Sequence, residues 1–266
     1  HSFTEAGNIM VTRLTTRWVL QQMELELSET RVGGVGIKQV EPPWFNSGSL
    51  TQGVLFRGLF KANPDMTTVK PDLASGHKVS KDGKTVTITM KSGLKWSDGK
   101  AITADDVVWS INTALRVTRI NANYSNAFKL IDGASAVTAA NKVNMSGLTA
   151  KGNEITIKLG APQPLLIPIL AQFMILPKHI LENEDLLRLD TNKFWLNPVS
   201  SGPFKVGTLS PDNFITLVPN TNYEGPKSKI TQINVVSSAA LLADARSGKI
   251  DYFITQDADT IRGMRS

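Results

Sequence analysis

Apolar and polar positions follow two rhythms along this chain. Between residues 77 and 102 the period is two. Val86, Ile88 and Met90 interleave with Thr85, Thr87 and Thr89, so one face of a strand is apolar and the other carries hydroxyls. Asp82-Gly83 between two such runs predicts a hairpin, and Ser97-Asp98-Gly99 a second turn. A further hairpin is predicted over 143–159, with Lys151-Gly152-Asn153 as its turn and Ile155, Ile157 and Leu159 facing inward. Strands are also predicted at 32–40, as a pair within 203–218 turning at Ser210–Asn213, at 229–236 and at 250–254.

Elsewhere the period is helical. Val11, Leu14, Trp18 and Met23 or Leu25 share a face within 8–30, and Leu50, Val54, Leu55 and Leu59 recur after a Ser49 cap. Thr103 opens the clearest helix. Asp106 sits three residues on, as in a capping box, Asp105 adds charge at the positive helix end, and Val107, Val108, Ile111 and Leu115 form the stripe. Pro162, Pro164, Pro168 and Pro177 cut the apolar stretch after the second hairpin, leaving a short helix over 165–173. A charged helical piece at 178–195 follows, and a last helix over 239–247 stops at Gly248.

Composition narrows the chemistry. With no cysteine, disulfides and thiol chemistry are excluded, and His1, His77 and His179 stand far apart without a metal-ligand frame. Apolar residues make up 41% of the 266, enough to bury a core, and no apolar run reaches the length of a membrane span. The net charge is +6, from singly scattered Lys and Arg without interleaved aromatics, which reads as a solvated basic surface. Gly33-Gly34-x-Gly36 lacks the dinucleotide-binding spacing and reads as a flexible strand entry. No serine has a nucleophile-elbow setting and no carboxylate pair stands out, so no catalytic residue, metal or cofactor is expected.

The hairpin followed by KSGLKWSDGKAITADDVVWSI resembles the signature of the family 5 extracellular solute-binding proteins, which serve peptide, dipeptide and nickel importers. GVLFRGLF (53–60), ILPKHIL (175–181), NPVSSGPFKV (197–206) and ARSGKIDYFI (245–254) follow in the family's order. The resemblance covers roughly residues 38–256. It implies an α/β fold, a periplasmic-binding-protein-like type II (cluster C) lobe with an additional small α+β domain and the second lobe missing. Residues 1–58 and 178–266 would form the lobe, and 59–177 the small domain. The function implied is capture of peptides or similar ligands between two lobes and delivery to an ABC importer, at the extracellular face of the membrane or in the periplasm. The partners implied are an oligopeptide or other small ligand and the ABC permease subunits. No nucleic acid is expected, and membrane association is expected only through a lipid anchor outside this chain. The alternatives are a ligand-sensing module of a regulator or a truncated interaction protein without a transport role.

The resemblance also suggests ligand-binding positions. Pro43, Trp44, Phe45 and Asn46 match the corner after the family's first strand, and read equally as a core aromatic pair on a rigid turn. Ser200, Ser201 and Gly202 offer backbone groups to a ligand, or form a structural turn into the Phe204 strand. Tyr124, Ser125 and Asn126 match a region that approaches the ligand in some members, or form a plain loop. Trp96 and Trp109 read as packing between the small domain's sheet and helix.

Overall fold

The computed structural model describes residues 29–34, 43–44, 52–63, 68–117, 119–210, 214–237 and 240–253. Two sheets organise them. The first is built from strands β4 (Ala74–Val79), β5 (Thr85–Met90), β6 (Leu148–Lys151) and β7 (Glu154–Lys158), in the order β4-β5-β7-β6 and antiparallel throughout. Its two predicted hairpins turn at Gly83 (φ 71°) and Gly152 (φ 59°), a backbone region that glycine enters without a Cβ clash. Val86, Ile88, Met90, Ile155, Ile157 and Leu148 lie on the buried face, and the threonines on the other.

Helix α2 (Ala104–Ala114) crosses that apolar face at β6 and β7. Its predicted capping box is present. Thr103 accepts a hydrogen bond from the Asp106 amide, and the Asp106 carboxylate accepts one from the Thr103 amide at 2.8 Å. Asp106 also accepts from the Lys178 amide at 3.0 Å, so one carboxylate starts one helix and fixes the start of another. Helix α4 (Leu166–Gln172) forms despite Pro168, which occupies its first turn, where no intrahelical N–H is missed. It packs on the two-stranded ribbon β2 (Phe60–Ala62) and β3 (Val69–Pro71) and on helix α3 (Ala122–Phe128).

The second sheet has the order β11-β1-β10-β9-β8. Its strands are β1 (Glu29–Gly34), β8 (Phe204–Ser210), β9 (Phe214–Pro219), β10 (Gln232–Ser237) and β11 (Tyr252–Phe253). β10 and β11 run parallel to β1 on its two sides, whereas β9 is antiparallel to β10 and to β8. Helix α6 (Leu241–Arg246) carries the chain from β10 to β11 across β1 and ends, as its sequence predicts, at a left-handed Gly248 (φ 71°).

Three expectations change. The apolar stretch from residue 50 keeps only one helical turn, α1 (Gln52–Leu55), among the described residues. The Leu55 carbonyl accepts instead from the Ser201 and Gly202 amides, and Gly58 presses against the backbone of α4, its absent Cβ lying 2.9 Å from the Leu170 carbonyl. Long-range packing thus overrides local helical spacing. The charged piece 178–195 breaks into α5 (Lys178–Leu181) and two 3-10 turns, because the Asp185 and Asn192 side chains each accept from a backbone amide two residues on. Residues 29 and 30, expected to be helical, begin strand β1, and the rest of the 8–30 expectation and the Ser49 cap lie outside the described residues.

The resemblance-bearing turn at 96–100 is a clasp between the sheets. The Ser97 amide donates to the Ser200 carbonyl (2.8 Å), the Ser200 amide to Ser97 Oγ (3.0 Å), and Asn222 Nδ2 to the Ser97 carbonyl (3.1 Å). Asp98 meets His179 Nε2 at 2.7 Å, while Trp96 is buried beneath the turn.

Candidate functional site

Strand order singles out one candidate position for a ligand. β1 is flanked by parallel strands that the chain reaches in opposite directions, so its carboxyl end is a topological switch point, and such points leave a crevice outside the strand ends. The register sets Gly33 beside Val236 and Phe253, and Gly34 beside Ser237. Two glycines at the end of β1, the second strand from one edge of the sheet, leave bare backbone that another chain can approach closely. Sequence reading passed over this pair as a flexible strand entry. The usable signal was the glycine pair that closes the segment Glu29–Gly34. The pairing itself joins distant segments and has no local signature.

The sequence-derived candidates divide. Phe45 and Asn46 lie outside the described residues. Pro43 and Trp44 are buried. Trp44 stacks on Phe173 at 5.2 Å with an interplanar angle of 10°, and its Nε1 donates to the Met174 carbonyl at 2.8 Å. Tyr124 is buried on the same ring, edge-on at 5.3 Å, with its hydroxyl donating to the Gln172 carbonyl at 3.0 Å, and Phe128 adds a third contact at 4.8 Å. The Asn121 amide donates to the Trp44 carbonyl at 2.9 Å. The 43–44 corner and the 121–128 segment are therefore neighbours, locked together through Phe173. Such aromatic contacts contribute about 0.5–1.5 kcal/mol each beyond area burial. Residues 124–126 belong to helix α3 and are not a loop. Ser125 is half-buried, its hydroxyl donating to the Ala122 carbonyl at 3.2 Å, and Asn126 is exposed.

Ser200, Ser201 and Gly202 do not present free backbone to solvent. All three are interior, and their amides donate to Ser97 Oγ, the Leu55 carbonyl and the Leu55 carbonyl respectively. Ser201 Oγ accepts from the Arg57 amide at 2.9 Å, and Ser200 Oγ donates to the Phe204 carbonyl at 3.0 Å. A Cβ on Gly202 would lie 2.1 Å from the Val54 carbonyl oxygen. This stretch is built as the structural turn of the two readings, with all three backbone amides already engaged.

Beside it lies a charge cluster that sequence pattern did not reveal. Arg57, only 3% exposed, reaches Asp72 Oδ1 from Nη2 (2.7 Å) and Nε (2.8 Å), and Glu224 from Nη2 (2.8 Å) and Nη1 (3.0 Å). Its guanidinium also stands 5.1 Å from the Tyr223 ring centroid. Burial pulls the Arg57 pKa down, but the two carboxylates outweigh it and hold the group above its ordinary value, fully charged. The cluster ties α1, the loop after β3 and the turn at 220–225 into one frame. Among the described residues no group of three or more His, Cys, Asp or Glu side chains is placed to hold a metal ion.

Comparison with known proteins gives a consistent result. Residues 68–264 match the model for bacterial extracellular solute-binding proteins, family 5 Middle. The oligopeptide-binding protein OppA of Bacillus subtilis is 30% identical over 225 residues, which is 79% of this chain and 40% of that protein. A putative ABC transporter peptide-binding protein of Brucella abortus is 26% identical over 210 residues, 77% of this chain and 37% of the relative. Among solved structures, the oligopeptide-binding protein AppA of Bacillus subtilis in complex with a nonapeptide superposes with a TM-score of 0.71 at 24% identity, over 89% of this chain and 46% of that one. NikZ of Campylobacter jejuni in complex with Ni(L-His) gives 0.70 at 23% identity, over 90% and 45%. The chain thus spans less than half the length of these relatives.

Proposed function

Because this chain belongs to the family 5 bacterial extracellular solute-binding proteins, we propose that it forms one wall of a ligand cleft that captures peptides or similar solutes for an ABC importer, without bond chemistry. On this reading residues 1–58 and 178–266 form the lobe and 59–177 the small domain, and the protein works outside the cell membrane or in the periplasm. The observation that carries the proposal is the family match over residues 68–264. The topological switch point at the carboxyl ends of β1, β10 and β11 supports it, with Gly33, Gly34 and Ser237 at the strand ends. A peptide bound there makes main-chain hydrogen bonds, which hold the backbone and leave side-chain choice loose. Ser125 and Asn126 are the polar side chains we assign to the wall, and the Trp44–Phe173–Tyr124 stack is the rigid floor that keeps them in place.

Two-lobed capture draws its affinity from closure around the ligand. One wall alone forfeits roughly half the contacts, a loss on the order of 4–6 kcal/mol, or about a thousand- to ten-thousandfold in Kd. Calorimetric titration of this chain with a pool of di- to nonapeptides, with the pool analysed afterwards by mass spectrometry, tests this. The expected result is micromolar to millimolar binding with every peptide recovered intact. Submicromolar binding would contradict the single-wall reading, and cleaved peptide or no heat at millimolar concentration would contradict the function.

A further inference from the structure

The net charge is not spread over the molecule. Residues 59–177 hold 14 of the 29 Lys and Arg and 8 of the 23 Asp and Glu, so the rest of the chain has 15 of each and is neutral. Much of that excess borders the solvent face of the four-stranded sheet. One row across it runs Lys78, Thr87, Thr156, Thr149. On one side lie Thr85 and Lys158, and on the other Thr89, Glu154 and Lys151. Lys81 and Lys84 add positive charge at the β4–β5 turn, at the end of the sheet, and all five lysines are exposed. Lys78, Lys151 and Lys158 make no ion pair among the described residues. The acidic groups here are Glu154, Asp82 and Asp132, whose amide donates to the Lys158 carbonyl at 3.0 Å, and the Asp82 carboxylate is engaged by Ser80 Oγ and the Lys84 amide, so the five lysines still outnumber them.

From this placement we infer that the threonine–lysine face of the small sheet docks on an anionic lipid bilayer. The occupant follows from shape and chemistry. Four strands about 4.8 Å apart make a broad, shallow face, which suits a planar array of phosphates. The face carries no aromatic ring on which a nucleotide base would stack. It also carries no large apolar side chain to insert, so attachment is electrostatic and reversible by salt. At an ionic strength of 0.1 M the Debye length is about 10 Å, long enough for lysines on one face to act together. This membrane contact is separate from the lipid-anchored association that the family resemblance implies, and it does not depend on which ligand the cleft takes.

Cosedimentation of the full chain with vesicles of equal parts phosphatidylglycerol and phosphatidylcholine tests it. Binding is expected at low salt, with none on phosphatidylcholine alone and release at 1 M salt, where the Debye length is about 3 Å. The K78Q/K151Q/K158Q variant is expected to lower the partition coefficient about a hundredfold, and K78Q or K151Q alone about fivefold. K193Q/K227Q/K229Q removes the same charge from exposed positions elsewhere and is expected to cost less than fivefold. Absence of wild-type binding at low salt would overturn the inference. So would equal losses in the two triple variants, undiminished binding to phosphatidylcholine, or tighter binding to a single-stranded DNA oligonucleotide than to the vesicles.

Discussion

Replacing Asp72 by Asn probes the frame that holds the candidate site. Asp72 is 5% exposed and contacts Arg57 through one oxygen at 2.7 and 2.8 Å. Asparagine keeps the size of the side chain and removes its charge, leaving a buried guanidinium with Glu224 as its remaining carboxylate. Breaking a buried pair on one side costs about 3–5 kcal/mol. Glu224 is 34% exposed and better solvated, so its compensation is partial, and the lower end, about 3 kcal/mol, is expected. At about 2–4 °C per kcal/mol for a chain of this size, the melting midpoint should fall by about 6–12 °C. Urea unfolding followed by tryptophan fluorescence measures the loss. Arg57→Met, Asp72→Leu and the Arg57→Met/Asp72→Leu double variant form a separate double-mutant cycle. The apolar pair leaves only Glu224 without its partner, and at 34% exposure that carboxylate is solvated, so the double variant should lose less than the sum of Arg57→Met and Asp72→Leu measured singly by at least about 2 kcal/mol. A loss below about 1 kcal/mol for Asp72→Asn, or strict additivity in the cycle, would refute the view that a buried ion cluster joins these segments.

Three further outcomes are expected. Gly202→Ala sets a Cβ 2.1 Å from the Val54 carbonyl in a fully packed turn, and should cost at least about 3 kcal/mol in chemical denaturation. Thr103→Ala removes the side-chain half of the capping box and should cost about 1 kcal/mol, read as a small fall in denaturation midpoint with the fold intact. The Asp82 carboxyl titrates below the ordinary aspartate range, first through the Ser80 hydroxyl and then the Lys84 amide, so any stability it gives the hairpin is present above the unfolded pKa and lost as pH falls through the folded one. Its NMR titration midpoint should rise in Ser80→Ala, and an unchanged midpoint would remove the hydroxyl as the cause.

Local chemistry was legible where an element is decided by its own residues. The alternating threonines of β5, the Asp82-Gly83 turn, the Thr103–Asp106 box and Gly248 each act within a few positions, and the structure holds them as read. Residues whose roles depend on distant partners were not legible. Leu50–Leu59 has a helical stripe, but the Leu55 carbonyl is taken by amides at 201 and 202. Arg57 looks like any surface arginine until Asp72 and Glu224 converge on it. Among the candidate residues, Trp44 and Tyr124 could be flagged as aromatic, but only Phe173 between them shows that both rings are packed in the interior. The switch point at Gly33 and Gly34 arises from pairing a strand near residue 30 with two beyond residue 230, which no local pattern encodes.

Amide NMR spectra of the isotope-labelled chain, recorded while millimolar oligopeptide is added, test the claim of a chemically inert binding wall most directly. The predicted result is a contiguous set of shifts at Gly33, Gly34, Ser237 and Asn126, with the peptide's own resonances unchanged in number over hours. Shifts confined to the outer face of the four-stranded sheet, or new peptide resonances from cleavage, would contradict it.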